Sequence, residues 1–236
     1  MKSKLKKLTG ICLAMFLAFS VTLPVYARTG RSSMRSGYKF DEQTGHLIIG
    51  RDIERKPVTN IVPFPTNKIK KVTFTNDVIC IDLNAFQGCQ NLKEVNIPNS
   101  VMFIGAGAFR YCIRLTSVTL PYSVTSIESY TFFGCTSLKE VNIPPRVARI
   151  GDYAFSNCKD LKKVTISNGV YSIGDYAFSF CKNLKEIRIP NSVFHLGDYA
   201  FSFCTSLREV TIPFRLANTT YSKIFLGCPI LKKTIY

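Results

Sequence analysis

The stretch Asp152 to Gly174, DYAFSNCKDLKKVTISNGVYSIG, decides the fold, because the stretch that follows it, Asp175 to Gly197, repeats it as DYAFSFCKNLKEIRIPNSVFHLG. Aromatic, cysteine and branched aliphatic residues occupy the same places in both segments. Self-similarity at a fixed period of about 20–50 residues is typical of proteins built from stacked structural units. The segment therefore predicts a repeat protein rather than a globular domain.

The same pattern extends outward from this unit, as A-F-x-x-C-x-x-L-x-x-V-x-I-P-x-x-V-x-x-I, over residues 69–236. A partial unit, Ile69 to Ile81, has the strand spacing without the Phe-Cys part. The cysteines that mark the units recur at a constant interval, which is longer by one position before the last of them: Cys89, Cys112, Cys135, Cys158, Cys181, Cys204 and Cys228. Residues 69–236 are therefore expected to form about seven stacked repeats.

Each repeat divides into two predicted elements. The L-x-x-V-x-I segment ends with the period of two that is typical of a strand, and the Pro that usually follows ends the ladder because it has no N–H. The A-F-x-x-C-x-x-L spacing predicts a single helical turn, with Asp152, Asp175 and Asp198 as N-caps. One unit cannot bury its own apolar residues, so stacking is expected to bury them as continuous ladders.

These motifs resemble those of the BspA-like family of bacterial leucine-rich repeats, over about residues 69–236. The resemblance implies an α/β-type repeat solenoid: a right-handed leucine-rich-repeat solenoid with one short parallel strand and one helical turn per 23-residue repeat. It also implies a protein of the bacterial surface with an adhesin-like function, in contact with host matrix protein, glycan or another cell surface. The family has no binding-residue motif that can be transferred to this chain.

Residues 1–27 have the order of a secretory signal peptide. Lys2, Lys4, Lys6 and Lys7 precede the apolar run Ile11 to Val21, and Val25-Tyr26-Ala27 ends in a small residue. Residues 1–27 are therefore predicted to be a signal peptide that is cleaved after Ala27. Membrane contact is expected only through the uncleaved signal peptide, and a retained membrane anchor is the alternative.

The segments that follow are predicted to be a flexible basic linker, residues 28–37, and an N-terminal cap, residues 38–68. The cap combines a hairpin, with Thr44-Gly45 at its turn, and an irregular coil. Cleavage would remove four of the 31 basic residues and none of the 15 acidic ones, which leaves a net charge of +12. This charge favours extracellular protein or glycan with anionic groups as the partner, whereas an exported protein is not expected to meet nucleic acid as a specific partner.

The column of cysteines admits more than one interpretation. Disulfides are common in exported proteins, but the parallel Cβ vectors of a stack disfavour the torsion of about 90° that a disulfide needs. The favoured interpretation is a column of buried free thiols that pack as small apolar residues, with disulfides and metal binding as the alternatives. Cys80 differs, because it falls in a column that is expected to face solvent, and it is a candidate reactive thiol.

The titratable residues show no catalytic arrangement. His46 and His195 have no Ser, Cys or carboxylate at a fixed spacing, and the sequence contains no phosphate-binding loop or nucleophile elbow. The prediction is therefore that the protein is not an enzyme and uses no cofactor or metal. The glutamates of one column are interpreted as partners of the basic residues that precede them, because like charges stacked about 5 Å apart need neutralising. These pairs are Lys93-Glu94, Lys139-Glu140, Lys185-Glu186 and Arg208-Glu209.

Two exposed columns are candidate binding surfaces. On the strand face a basic residue is expected once per repeat, interrupted at Thr116, with further lysines beside it: Lys70, Lys71, Lys93, Lys139, Lys162, Lys163, Lys185, Arg208 and Lys232. Two residues before the core Phe, aromatic side chains recur as Tyr130, Tyr153, Tyr176 and Tyr199. The alternatives are a merely solvated face for the first column and rings that cover neighbouring turns for the second.

Two functions are compatible with these features. The first is a secreted or cell-surface leucine-rich-repeat binding module that uses one of the two columns. The second is a structural or antigenic surface scaffold with no specific ligand. The oligomeric state and the identity of a ligand do not follow from the repeat pattern, because one solenoid fold serves many functions.

Overall fold

The computed structural model describes residues 37–50, 65–216 and 221–235. The chain divides into two compact units, Met1–Ser33 and Met34–Tyr236, and all described residues belong to the second. The predicted signal peptide, the predicted linker apart from Gly37 and residues 51–64 of the predicted coil lie outside the described residues. Among the helices of the described part, none has the length and apolar character needed to cross a membrane.

Short strands dominate the described part of the chain. In chain order they are β1 (Tyr38–Asp41), β2 (His46–Ile49), β3 (Lys71–Phe74), β4 (Cys80–Ile81), β5 (Glu94–Asn96), β6 (Phe103–Ile104), β7 (Ser126–Ile127), β8 (Glu140–Ile143), β9 (Arg149–Ile150), β10 (Lys163–Ile166), β11 (Ser172–Ile173), β12 (Glu186–Arg188), β13 (His195–Leu196), β14 (Glu209–Ile212) and β15 (Lys232–Ile235). A 3-10 turn, Phe214–Leu216, and a one-turn helix α1, Tyr221–Ile224, lie between β14 and β15.

The strands form two parallel ladders, so each repeat contributes to two faces. The first ladder begins with the antiparallel hairpin β1-β2; β2 pairs in parallel with β3, and β3 pairs in parallel with β5. It continues as β8-β10 and as β12-β14-β15. The second ladder contains the two-residue strands, as β4-β6 and as β7-β9-β11-β13. Partners are one repeat apart, as for Val164 opposite Val141, which makes this part of the chain a parallel β-solenoid.

The core is a set of side-chain columns that run along the stack. Phe86, Phe109 and Phe132 are fully buried, and their ring centroids are 5.2 and 5.4 Å apart with nearly parallel planes. The same stacking continues through Phe155, Phe178 and Phe201. Burial of each ring contributes roughly 1.5–3 kcal/mol relative to an exposed ring. Because every ring packs between rings of two neighbouring repeats, the Phe column stabilises the stack rather than any single repeat.

The predicted helical turn in each repeat is wrong. The A-F-x-x-C-x-x-L segment forms turns whose N–H groups bond to the next repeat, as when the Phe155 N–H donates to the Ala177 carbonyl at 2.8 Å. Tyr153 and Asn157 adopt positive φ angles of 55° and 61°, which a right-handed helix cannot contain. The three-residue spacing therefore reflects turns that stack between repeats.

The predicted N-cap role of Asp152, Asp175 and Asp198 is also wrong, for a related reason. The turns that follow them are not helical, and Oδ1 of Asp152 instead accepts the N–H of Asp175 in the next repeat at 2.9 Å. In the same way Oδ1 of Asp175 accepts the N–H of Asp198 at 2.8 Å. The carboxylate of Asp198 binds Lys223 at 3.4 Å. These aspartates therefore connect successive repeats.

The cysteine column consists of free thiols. Each sulfur from Cys112 onward donates a hydrogen bond to a Phe carbonyl of the preceding repeat, for example Cys112 to Phe86 at 3.2 Å. Burial raises the pKa of the Cys89 thiol to about 12 and holds the pKa of Cys135 well above its ordinary value. The prediction that Cys80 faces solvent is wrong, because this residue is only 8% exposed and lies in β4 opposite Phe103.

Candidate binding surfaces

The basic column of the strand face comprises Lys70, Lys93, Lys139, Lys162, Lys185 and Arg208, with Thr116 at the third rung. Each of these side chains is exposed. Backbone hydrogen bonds set the rungs on either side of the interval between Lys162 and Lys185, as when the Lys93 N–H donates to the Lys70 carbonyl at 2.8 Å. The Lys162 N–H donates to the Lys139 carbonyl at the same distance. Among the described residues, no ion pair involves these six side chains. The column therefore presents an unneutralised row of cations.

The neighbouring column has mixed charge, and it corrects the sequence interpretation of Glu94. Along the stack it comprises His46, Lys71, Glu94, Ser117, Glu140, Lys163, Glu186, Glu209 and Lys232. Lys71 binds Glu94 at 3.2 Å, so that glutamate pairs across repeats rather than with the preceding Lys93. Lys163 likewise lies opposite Glu140. The mixed column holds three cations and four carboxylates, so it leaves the charge of the basic column nearly unchanged.

Lys232 does not belong to the basic column, contrary to the sequence prediction. The register places it opposite Glu209 and not opposite Arg208. The cause is the last interval, from Cys204 to Cys228, which is one position longer than the others, while β15 keeps the constant register of the ladder. Lys232 therefore extends the mixed column.

Two further lysines reinforce the basic column and were missed in the sequence. Lys159 and Lys182 are exposed, and they lie on adjacent turns because the Asn183 N–H donates to the Lys159 carbonyl at 3.1 Å. Each comes three residues before a member of the basic column, Lys162 or Lys185. The sequence signal was a Lys that directly follows the core cysteine in two successive repeats. Each of these two repeats therefore adds one further exposed cation close in sequence to the basic column.

A cleft opens in the same region of the strand face. Within the described residues no strand pairing joins β10 to β12, although each pairs with its other neighbour. The resulting cleft has a volume of about 330 Å³. Its polar lining includes Lys163, Thr165, Glu186, Arg188, Glu209 and Thr211. Two cations and two carboxylates balance there, so the cleft adds shape but no net charge to the face.

The tyrosine column is a stack of rings, in which each ring packs on the ring of the next repeat. The centroids of Tyr153 and Tyr176 are 4.8 Å apart, and Tyr130 and Tyr199 extend the stack at 4.9 Å on either side. All four side chains are half-buried. Partial burial, together with the neighbouring phenols, raises the pKa of Tyr153. The ring faces between neighbouring tyrosines are thus occupied by one another, and along the stack a ligand would meet ring edges and hydroxyls.

The first ring of this stack is covered by Arg110. The preceding repeat has Gly107 at the tyrosine position, and the Arg110 guanidinium lies 5.2 Å from the centroids of Tyr130 and Phe133 and 5.1 Å from that of Tyr111. Cation–π contacts of this kind stabilise partly buried arginines. Arg110 therefore acts as a structural cap for the aromatic stack.

Three other aromatic side chains are far more exposed than the tyrosine column. Tyr171, Phe194 and Phe214 are 52, 71 and 79% exposed. Tyr171 and Phe194 are one repeat apart and directly follow the buried Val170 and Val193, a column that contributed nothing to the sequence prediction. Among the described residues, no group of His, Cys, Asp and Glu is arranged to hold a metal ion.

In this parallel β-solenoid, each repeat contributes one residue to each surface column. This is the architecture of a leucine-rich-repeat protein. The chain belongs to the family described as the BspA type leucine rich repeat region, which matches residues 63–185 and 125–236 in six copies. Among curated proteins, none matches this chain.

Solved structures of bacterial leucine-rich-repeat proteins are similar to this chain. A leucine rich cell surface protein from Faecalibacterium prausnitzii is 26% identical with a TM-score of 0.62, over 79% of this chain and 55% of its own. This chain thus spans about half the length of that protein. A leucine rich repeat protein from T. pallidum is 23% identical with a TM-score of 0.45, over 87% of this chain and 81% of its own. One from Bacteroides ovatus is 25% identical with a TM-score of 0.41, over 88% and 71%.

Proposed function

We propose that this chain is an extracellular binding module that holds an anionic polymer, of the sulfated-glycan type, along its basic column. The observation that carries the proposal is the row of exposed cations from Lys70 to Arg208, which backbone hydrogen bonds hold in register from Lys70 to Lys162 and again from Lys185 to Arg208. Export through the predicted signal peptide and the cell-surface description of the F. prausnitzii protein support an extracellular location. N-terminal sequencing of secreted protein should give Arg28 first, whereas an intact Met1 in the membrane fraction would contradict export.

The chemistry of the basic column favours a repeating anion over a folded protein. The centres of protein–protein interfaces are depleted of Lys and enriched in aromatic residues and Arg. The basic column has the opposite composition, since five of its six cations are Lys and none of its members is aromatic. Rungs of a ladder lie about 4.8 Å apart, so a linear polymer with regularly spaced sulfates meets a cation at nearly every step.

A double charge reversal at Lys162 and Lys185 tests the proposal. Both side chains are exposed and neither forms an ion pair within the described residues, so their replacement leaves the fold intact. Lys163 is avoided because Glu there would lie opposite Glu140. Binding of the mature protein to a sulfated polysaccharide such as heparin, measured by calorimetry at low salt, should weaken at least tenfold in Lys162→Glu/Lys185→Glu.

The matched control is Lys39→Glu/Arg146→Glu, which removes the same charge at exposed positions outside the basic column. This variant should lose much less affinity, because only the general positive field is reduced. Equal losses in both variants would show that the attraction is unspecific. No saturable binding by the wild-type protein to sulfated polysaccharide would instead favour a scaffold without a specific ligand.

A further inference from the structure

The exposed aromatic side chains Tyr171, Phe194 and Phe214, together with Arg215, lie on successive turns and are called here the aromatic patch. The Phe194 N–H donates to the Tyr171 carbonyl at 2.8 Å, so these two residues lie on adjacent turns. The Arg215 guanidinium carbon lies 4.3 Å from the centroid of the Phe194 ring, and Phe214 directly precedes Arg215. The patch therefore spans three successive repeats.

The aromatic patch differs from the other aromatic columns of this protein. Phe180 and Phe203, which are each 39% exposed, stack at 4.8 Å and so cover each other. By contrast, within the described residues no ring contact joins Tyr171 to Phe194, although they are neighbours in the same column. Their rings consequently expose area that stacking would have buried. Contiguous exposed apolar area on a soluble protein is characteristic of an interaction site.

We propose that the aromatic patch is a docking site for a protein that presents an apolar side chain beside a carboxylate. Tyr, Phe and Arg are among the residues enriched at the centres of protein–protein interfaces. Charge complementarity identifies the carboxylate, because Arg215 forms no ion pair among the described residues while its guanidinium is fixed over Phe194. A single cation among three apolar rings suits such a protein surface better than a polyanion.

The proposal is independent of the basic column, since the two surfaces share no residue. A display library of random dodecapeptides, panned on the mature protein at physiological salt, supplies the probe. The expected consensus is an aromatic or large aliphatic residue next to Asp or Glu. A synthetic consensus peptide should bind Phe194→Ser/Phe214→Ser at least tenfold more weakly than wild type, and Arg215→Gln should bind it several-fold more weakly.

The control is Tyr122→Ser, which removes an aromatic side chain that is 60% exposed and lies four repeats from Phe214. This variant should keep full peptide affinity, and the double Phe variant should keep its affinity for heparin and its thermal stability. A library without a consensus, or peptides that bind the double Phe variant as tightly as wild type, would overturn the proposal. Loss of heparin binding in the double Phe variant would assign the patch to the glycan instead.

Discussion

At the scale of single residues, the contrast between Phe155 and Tyr153 tests the assignment of core and surface. Phe155 is fully buried between Phe132 and Phe178, so Phe155→Ala removes a ring and leaves a cavity. The expected loss is about 3–5 kcal/mol in the free energy of unfolding. Tyr153 is half-buried but stacked on two neighbours, so Tyr153→Ala should cost a smaller amount, about 1–2 kcal/mol. Urea denaturation followed by circular dichroism measures both, and equal losses would contradict the assignment.

The thiols give a second prediction at this scale. Native mature protein at pH 8 should react slowly with a thiol reagent, because burial keeps the pKa of the column cysteines high. Denatured mature protein, which lacks Cys12, should release eight thiols without reductant. The folded pKa of Cys89, about 12, exceeds its ordinary value of 9.0. The protonated thiol thus stabilises the fold below pH 9, and this contribution is lost as the pH rises from 9 towards 12. Near-zero thiols after denaturation would show that the column is bridged.

At the scale of elements, the turn that follows the core Phe depends on positive φ angles. Gly134 has φ of 71°, and a Cβ there would lie 2.7 Å from Cδ1 of Tyr111. Gly88 occupies the same position in an earlier repeat with φ of 74° and nothing within 4 Å of an added Cβ. Both Gly→Ala changes introduce backbone strain of about 1 kcal/mol or more, but Gly134→Ala must also displace a ring. A larger loss of thermal stability in Gly134→Ala is therefore expected; equal losses would show that the Tyr111 contact is unimportant.

The same turn explains why the sequence predicted the strands better than the turns. In β8 and β10, alternating residues such as Val141 and Ile143 point inward, and that period of two is specific to strands. The Phe-Cys-Leu spacing is compatible with a helix as well as with the observed turns. Tyr153 and Phe180 have positive φ angles, but Tyr and Phe are not residue types from which a positive φ is predicted. Hydrogen bonds to the next repeat offset the energetic cost of the positive φ angles. The sequence of a single repeat therefore does not predict this backbone conformation.

The candidate surfaces could be predicted from the sequence where their residues recur at the constant repeat interval. The basic column from Lys70 to Arg208 keeps the constant repeat interval, and backbone hydrogen bonds join its rungs except between Lys162 and Lys185. The prediction failed at Lys232, because one additional residue precedes Cys228 while the last strand keeps the register of the ladder. The sequence prediction also missed Phe194 and Phe214, because the exposure of these side chains depends on how neighbouring side chains pack and not on the repeat interval.

At the scale of the whole molecule, stacking of the repeats aligns the basic residue that most repeats carry at one position, and an extended charged row results. From Lys70 to Arg208 there are six intervals of about 4.8 Å, or roughly 29 Å. Contributions from separate rungs add up only when one ligand touches several of them. The row therefore predicts weak binding to a short anion and tighter binding to a longer one, with attraction screened by salt beyond about 8–10 Å.

The most direct test is the affinity of the mature protein for sulfated oligosaccharides of increasing, defined length, measured by calorimetry at several salt concentrations. If the basic column binds an anionic polymer, affinity should rise steadily with length until the chain spans roughly 29 Å, and then level off. The logarithm of the affinity should fall with the logarithm of salt, more steeply for the longer oligosaccharides. An affinity that depends on neither length nor salt would contradict a binding row along the solenoid.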